Sequence, residues 1–286
     1  MLEILLDTLK DSLKLLPFLF LTFLLMEYLE HKMSDKTKKI VKNAGKAGPL
    51  YGALLGAFPQ CGFSAAASSL YCGRIITLGT LISIYLSTSD EMLPILISEN
   101  VGIIPILKIL GLKVLIGIIA GFIIDFVYTK IVSKKENIEE EIGHLCKEEE
   151  CHCEENGILK SSIKHTVSII SFIFLTSLVL NIIVHIVGEE SLSRLILNKP
   201  VIGQVLAGIF GLIPNCASSV IITQLYLKQI INLGSMMSGL LVGAGVGILI
   251  LFKENKSKKE SLKIIGLLYI IGVISGIIIE LIGIQM

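Results

Sequence analysis

The sequence predicts an all-α integral membrane protein of two inverted-topology repeats, each with three transmembrane helices and a Pro-broken re-entrant helical hairpin. Composition, an internal repeat and the distribution of loop charge predict it. Hydrophobic residues make up 53% of the 286 positions, charged residues only 17%, and the mean hydropathy is +0.80. Several runs approach the roughly 20 apolar residues that span a bilayer, which excludes an ordinary soluble domain and makes the lipid bilayer the chain's solvent. The formal net charge is +1, with charges confined to a few loops, so no basic stripe suits nucleic acid.

The repeat is read directly. Gly56-x-x-Pro59-Gln60-Cys61-x-x-Ser64 returns without a gap as Gly211-x-x-Pro214-Asn215-Cys216-x-x-Ser219, 155 residues later. Between Gly48 and Leu86 that offset gives 13 identities in 39 aligned positions, among them Leu70-Tyr71 with Leu225-Tyr226. Farther on, Gly111, Gly117 and Gly121 fall in step with Gly266, Gly272 and Gly276. Shared apolar composition does not keep glycines in register, so the chain reads as a duplicated half. Upstream the offset is 154, aligning Phe18-Leu19-Phe20 with Phe172-Ile173-Phe174. The expected organisation is a membrane repeat over 1–132, an acidic linker over 133–160 and an inverted membrane repeat over 161–286.

In chain order, the first apolar run, near 12–31, follows Glu3 and Asp7 and lacks a basic n-region or a small-residue cleavage site. It reads as a retained helix and not a signal peptide. The second run, 47–72, is broken where Pro59 removes a helical hydrogen bond. Two more runs follow at 75–97 and about 102–131. The second half repeats the series at 163–187, 201–227, 230–252 and 261–284. Between the halves, a glutamate-rich stretch over 134–157 reads as solvent-exposed linker.

Loop charge sets sidedness, because cations mark the cytoplasmic face. Lys32, Lys36, Lys38, Lys39, Lys42 and Lys46 follow the first run, whereas Glu189, Glu190, Arg194 and Lys199 cancel in the equivalent loop. Conversely, the loop over 98–105 has no cation, while its counterpart carries Lys253, Lys256, Lys258 and Lys259. Equivalent loops are thus expected on opposite faces, as in inverted repeats. Inversion needs an odd number of crossings per half, so one of four runs must turn back. The Pro-broken run qualifies, since each arm is about half a bilayer long at about 1.5 Å per residue. This places Arg74 and the linker on the cytoplasmic side and both termini outside, in the cell's cytoplasmic membrane.

The hairpin tips are the sharpest candidate site. Half-helix ends expose backbone groups, and Gln60, Cys61, Ser64, Asn215, Cys216, Ser218 and Ser219 add amides, thiols and hydroxyls to replace a solute's hydration shell. Thiolate favours a soft metal or metalloid, and amide or carbonyl oxygen a harder one. The plain alternative is a packing kink at Pro59 and Pro214 with each cysteine a small hydrophobe. In the third run Thr80, Ser83, Ser87, Asp90 and Pro94 recur at three- and four-residue spacing and form one stripe with Glu91 beside it. Carboxylates inside a membrane segment are costly and serve as cation ligands or proton carriers. The other reading is that Ser87-Thr88-Ser89 caps a short helix. Asp90 is about 22 Å along its run, near the outer boundary. In the linker His144, Cys146, Cys151, His152 and Cys153 lie among glutamates, either capturing a soft cation or forming a solvated tract with incidental cysteines.

No nucleotide-binding glycine loop, GKS or GKT motif, HExxH or GxSxG is present, so the chain reads as a transporter and not an enzyme, without a resident cofactor. Transport energy then comes from a coupled proton or cation. Two rivals stay open: a thiol redox enzyme or metal sensor using Cys61, Cys72 and Cys216, and an organic-anion transporter. GAFPQCGFSAAASSLYCGR, STSDEMLPIL and GLIPNCASSVIITQLY resemble blocks of a heavy-metal exporter family counted as ten membrane segments. Members are also labelled arsenic efflux proteins or manganese transporters. A count of ten follows if each hairpin is scored as two segments. The resemblance covers essentially the whole chain and implies export of a metal or metalloid ion, carried by Pro59, Gln60, Cys61, Ser87, Asp90, Glu91, Pro214, Asn215 and Cys216.

Overall fold

The computed structural model describes residues 47–58, 62–89, 92–132 and 201–283, plus scattered helical positions within 8–24 and 159–182; side chains are described at all of these except 129–132, 216 and 217. The described chain is all-helical. In order, the helices are α1 (Gly48–Gly56), α2 (Gly62–Cys72), α3 (Leu78–Ser87), α4 (Met92–Ser98), α5 (Ile103–Val132), α6 (Ile202–Gly211), α7 (Cys216–Leu227), α8 (Leu233–Val242), α9 (Val246–Glu254) and α10 (Lys258–Ile282). Among the described residues, three segments have the length and apolarity to cross a membrane: Ile103–Tyr128, Leu233–Glu254 and Lys258–Ile282. Burial separates their roles. The α8–α9 segment is 83% buried, whereas the apolar spans in α5 and α10 are 28% and 39% buried. Ile119, Phe122, Ile123 and Phe126 on α5 and Ile270, Ile274 and Ile278 on α10 face outward, as lipid contact requires.

The Pro-containing runs are broken as expected, into α1 and α2 and into α6 and α7. The third run of each half differs from the expected single helix over 75–97 or 230–252: it stops at Ser87 and at Val242 and restarts at Met92 and Val246. In the first half the hydroxyls of Ser87 and Thr88 turn back onto the Ile84 carbonyl, at 3.1 and 2.7 Å, and Ser89 Oγ onto the Ser87 carbonyl at 3.0 Å. Such bonds compete with the helical ladder. In the second half Gly243-Ala244-Gly245 does the same work by conformation, with Gly245 at φ 52°.

Local bonding repeats at the 155-residue offset. Thr77 caps α3 by accepting from Thr80 N (3.1 Å), and Asn232 caps α8 by accepting from Ser235 N (2.8 Å). Asp125 accepts from Thr77 Oγ1 (2.7 Å) and Gly79 N (2.8 Å); Glu280 accepts from Asn232 Nδ2 (2.8 Å) and Gly234 N (3.3 Å). A carboxylate at a helix N-terminus also meets the positive end of its dipole. Ser83 donates to the Pro49 carbonyl at 2.5 Å and Ser238 to the Gln204 carbonyl at 2.7 Å. Arg74 and Gln229 close α2 and α7 at the same left-handed φ of 57°.

Packing follows the same plan. Helix α3 lies between α1 and α5, and α8 between α6 and α10. Gly79 and Gly121 bring α3 against α5 so closely that a Cβ on Gly79 would overlap the Gly121 carbonyl oxygen; Gly234 and Gly276 do this for α8 and α10. Contacts also run between the halves, with α2 on α9 and α7 on α4.

If these caps anchor the frame, Asp125→Ala and Glu280→Ala should each cost about 1.5–3 kcal/mol, as loss of a charged hydrogen-bond acceptor does. Heating the purified protein in detergent and following monodisperse elution should show both variants lost at lower temperature, with the exposed Glu99→Ala unchanged.

Candidate functional site

A small pocket opens where three interior helix ends converge. Thr88, Ser89 and Met92 contribute from the α3–α4 break, Ser218 and Ser219 from the first turn of α7, and Gly239, Leu240 and Gly243 from the end of α8; Lys113 of α5 completes the wall. Its donors are oxygen: hydroxyls of Thr88, Ser89, Ser218 and Ser219, with the carbonyls that the broken helices expose.

Lys113 is the residue that the sequence reading passed over. Its side chain is 1% exposed. The ammonium donates to the Thr88 carbonyl and, at 2.9 Å, to the Leu240 carbonyl, so one cation joins the breaks of both halves. The signal was present, since a charged residue lay within an otherwise apolar run and charge at membrane depth is costly. It was hidden because position 268, its repeat partner, is a leucine. Lys113 lies ten residues into α5, about 15 Å along that helix. The third run stops at Ser87, only 10 residues into α3, and this sets the Thr88 carbonyl beside the Lys113 ammonium.

The other sequence candidates fall as follows. Ser219 lines the pocket and accepts Thr223 Oγ1 on its carbonyl at 2.7 Å. Asn215 is half-buried in the turn before α7, with Pro214; its carbonyl accepts Ser218 Oγ at 2.8 Å, and the backbone of Cys216 opens the helix. Ser87 sits against Gly56 with its hydroxyl on the Ser83 carbonyl (2.9 Å), so its neighbours Thr88 and Ser89 line the pocket instead. Ser64 is fully buried, its carbonyl against Gly247 of α9. Pro59, Gln60, Cys61, Asp90, Glu91, and the linker residues His144, Cys146, Cys151, His152 and Cys153 lie outside the described residues. Among the described residues, no group of three His, Cys, Asp or Glu forms a metal cluster.

Beside the pocket, the α2–α9 seam is polar and tightly closed. Ser68 Oγ lies 2.7 Å from the Ser64 carbonyl, the Gly247 carbonyl and Tyr85 Oη, and Tyr85 Oη donates to the Gly247 carbonyl at 3.2 Å. At the far end of α2, Tyr71 Oη donates to Glu260 Oε1 at 2.6 Å and Arg74 Nη1 to the same oxygen at 3.2 Å. The first turn of α10 is thereby tied to the end of α2.

A family model described as "Putative, 10TM heavy-metal exporter" matches residues 1–170 and 155–285. No curated protein and no solved structure matches the chain.

Ser68→Ala removes one of the two partners of the Tyr85 hydroxyl and a bond to the Gly247 carbonyl, loosening this seam with an expected loss of about 1–3 kcal/mol. Thermal unfolding in detergent should resolve it against Ser171→Ala, an exposed serine bonded only within its own helix turn at 2.8 Å.

Proposed function

The chain belongs to the heavy-metal exporter family of ten membrane segments, and from that premise we propose that it is a secondary transporter moving a metal or metalloid ion through the pocket between the helix breaks. The observation that carries this reading is the convergence of interior helix ends from both halves on one pocket lined by Thr88, Ser89, Ser218 and Ser219 beside Lys113. Broken membrane helices at a repeat interface are where transporters bind their solutes, because backbone there is released from the helical ladder. In this reading Gln60, Cys61, Asn215 and Cys216 of the Pro-broken runs, with Ser64 and Ser219, are substrate ligands. Asp90 and Glu91 act as ligands or as carriers of the coupling proton or cation. Their charge is needed, since the Lys113 ammonium opposes a cation by about 4 kcal/mol per unit charge at about 4 Å in a medium of effective dielectric near 20.

The repeats are inverted in this reading, each with three crossings and a re-entrant hairpin, in the cytoplasmic membrane with the linker inside. The Arg74–Glu260 ion pair, at 3.2 Å, supports the inversion. In the first half the end of α2 and the loop over 98–105 lie on opposite faces if α3–α4 crosses the membrane. The loop equivalent to 98–105 is the one next to Glu260, and it meets Arg74. A parallel repeat would carry that loop to the other face. Lys113 favours one second reading, an oxyanion drawn to the buried ammonium, with no metal cation carried.

Flux in proteoliposomes tests the function. Ion by ion, Mn²⁺, Cd²⁺, Zn²⁺ and arsenite should reveal at least one substrate, with Asp90→Asn abolishing its flux. The double variant Cys61→Ser, Cys216→Ser should stop a soft substrate and spare Mn²⁺. Oxyanion flux alone would select the second reading, and no flux with reversible thiol oxidation would favour a redox enzyme.

A further inference from the structure

Lys113 occupies the place a transported cation would take. Its ammonium donates to the carbonyls of Thr88, the C-cap of α3, and of Leu240, in the last turn of α8. Carbonyls in a terminal helical turn have no amide four residues on, and they carry the negative end of the helix dipole. Two such ends, one from each half, point at one position. Thr88, Ser89, Ser218 and Ser219 line the pocket beside it. An all-oxygen set of this kind suits a hard or borderline divalent cation. Nothing equivalent exists at position 268, where a fully buried leucine packs.

We propose that Lys113 is a tethered cation that fills the substrate position in the empty transporter, and that a metal ion binds by displacing its ammonium from the Thr88 and Leu240 carbonyls. The inference rests on the transporter reading and deepens it. A lysine is suited to the part, having a compact charge on a flexible four-carbon stem that can withdraw along α5. With the ammonium seated, the two breaks are held together and the pocket has room for about one water-sized body. With a divalent ion seated, the same carbonyls bind metal and the ammonium must leave. Lys113 thereby sets affinity low enough for release, because the tethered charge always competes for the site.

Competition and structural support make opposite forecasts. Titrating purified protein with Mn²⁺ and with Cd²⁺, Lys113→Gln should bind the transported ion about tenfold more tightly than the natural protein, since a neutral amide of similar length no longer competes. In proteoliposomes that variant should show a lower KM with a lower kcat. Lys113→Arg, which keeps a tethered cation, should stay near the natural affinity. Equal or weaker binding by a monodisperse Lys113→Gln protein would overturn the proposal. A measurement on the natural protein covers the case in which the variant fails to fold: an amine-reactive probe should label Lys113 faster at saturating Mn²⁺ or Cd²⁺ than without metal, and unchanged labelling overturns the displacement. If the natural protein neither binds nor moves either ion while Lys113→Gln binds none, both this inference and its cation-transport premise fall; binding and flux with no Lys113 effect removes the inference alone.

Discussion

A helix that stops inside a membrane leaves carbonyls and amides that no water can satisfy, and the rest of this structure depends on how those groups are supplied. The breaks after Gly56, Ser87, Gly211 and Val242 all lie within apolar runs. The last three are met from within the protein. Ser87 and Thr88 return their hydroxyls to the last turn of α3, Ser218 closes the turn before α7, and Lys113 takes the Thr88 and Leu240 carbonyls together. An interior that must supply polar groups to its own backbone is already close to one that can supply them to an ion.

The frame around the breaks is held differently. Asp125 and Glu280 pin the starts of α3 and α8 from the neighbouring long helices, and paired glycines let α3 and α8 approach those helices at backbone distance. The fixed ends are thus remote from the interrupted ends. Helices α5 and α10 carry the outward apolar surface, so α8–α9 is left as a buried element whose polar interruption faces protein and pocket, not lipid.

Much of this was legible in the sequence because duplication doubles every signal. The Pro-amide-Cys tips announced the first pair of breaks, and the 155-residue offset carried caps, serine bonds and left-handed turns with it. The second pair of breaks was harder to see. One uses hydroxyls and the other glycines, so the chemistry at 87–89 and 243–245 shares no letters. Asp125 and Glu280 were concealed by a related substitution, different acids on different caps. Lys113 was the real omission: its meaning comes from two carbonyls, 25 and 127 residues away in sequence, which no local pattern shows.

The claim on which the account turns is that the halves enter the membrane from opposite faces, so that their breaks meet at one depth. Two-sided labelling of single cysteines introduced at Glu99 and Lys256, within the equivalent loops after α4 and α9, tests it most directly in sealed right-side-out and inside-out vesicles. The account expects an impermeant thiol reagent to reach Lys256→Cys only from the cytoplasmic face and Glu99→Cys only from the opposite one. Labelling of both from the same face would contradict it.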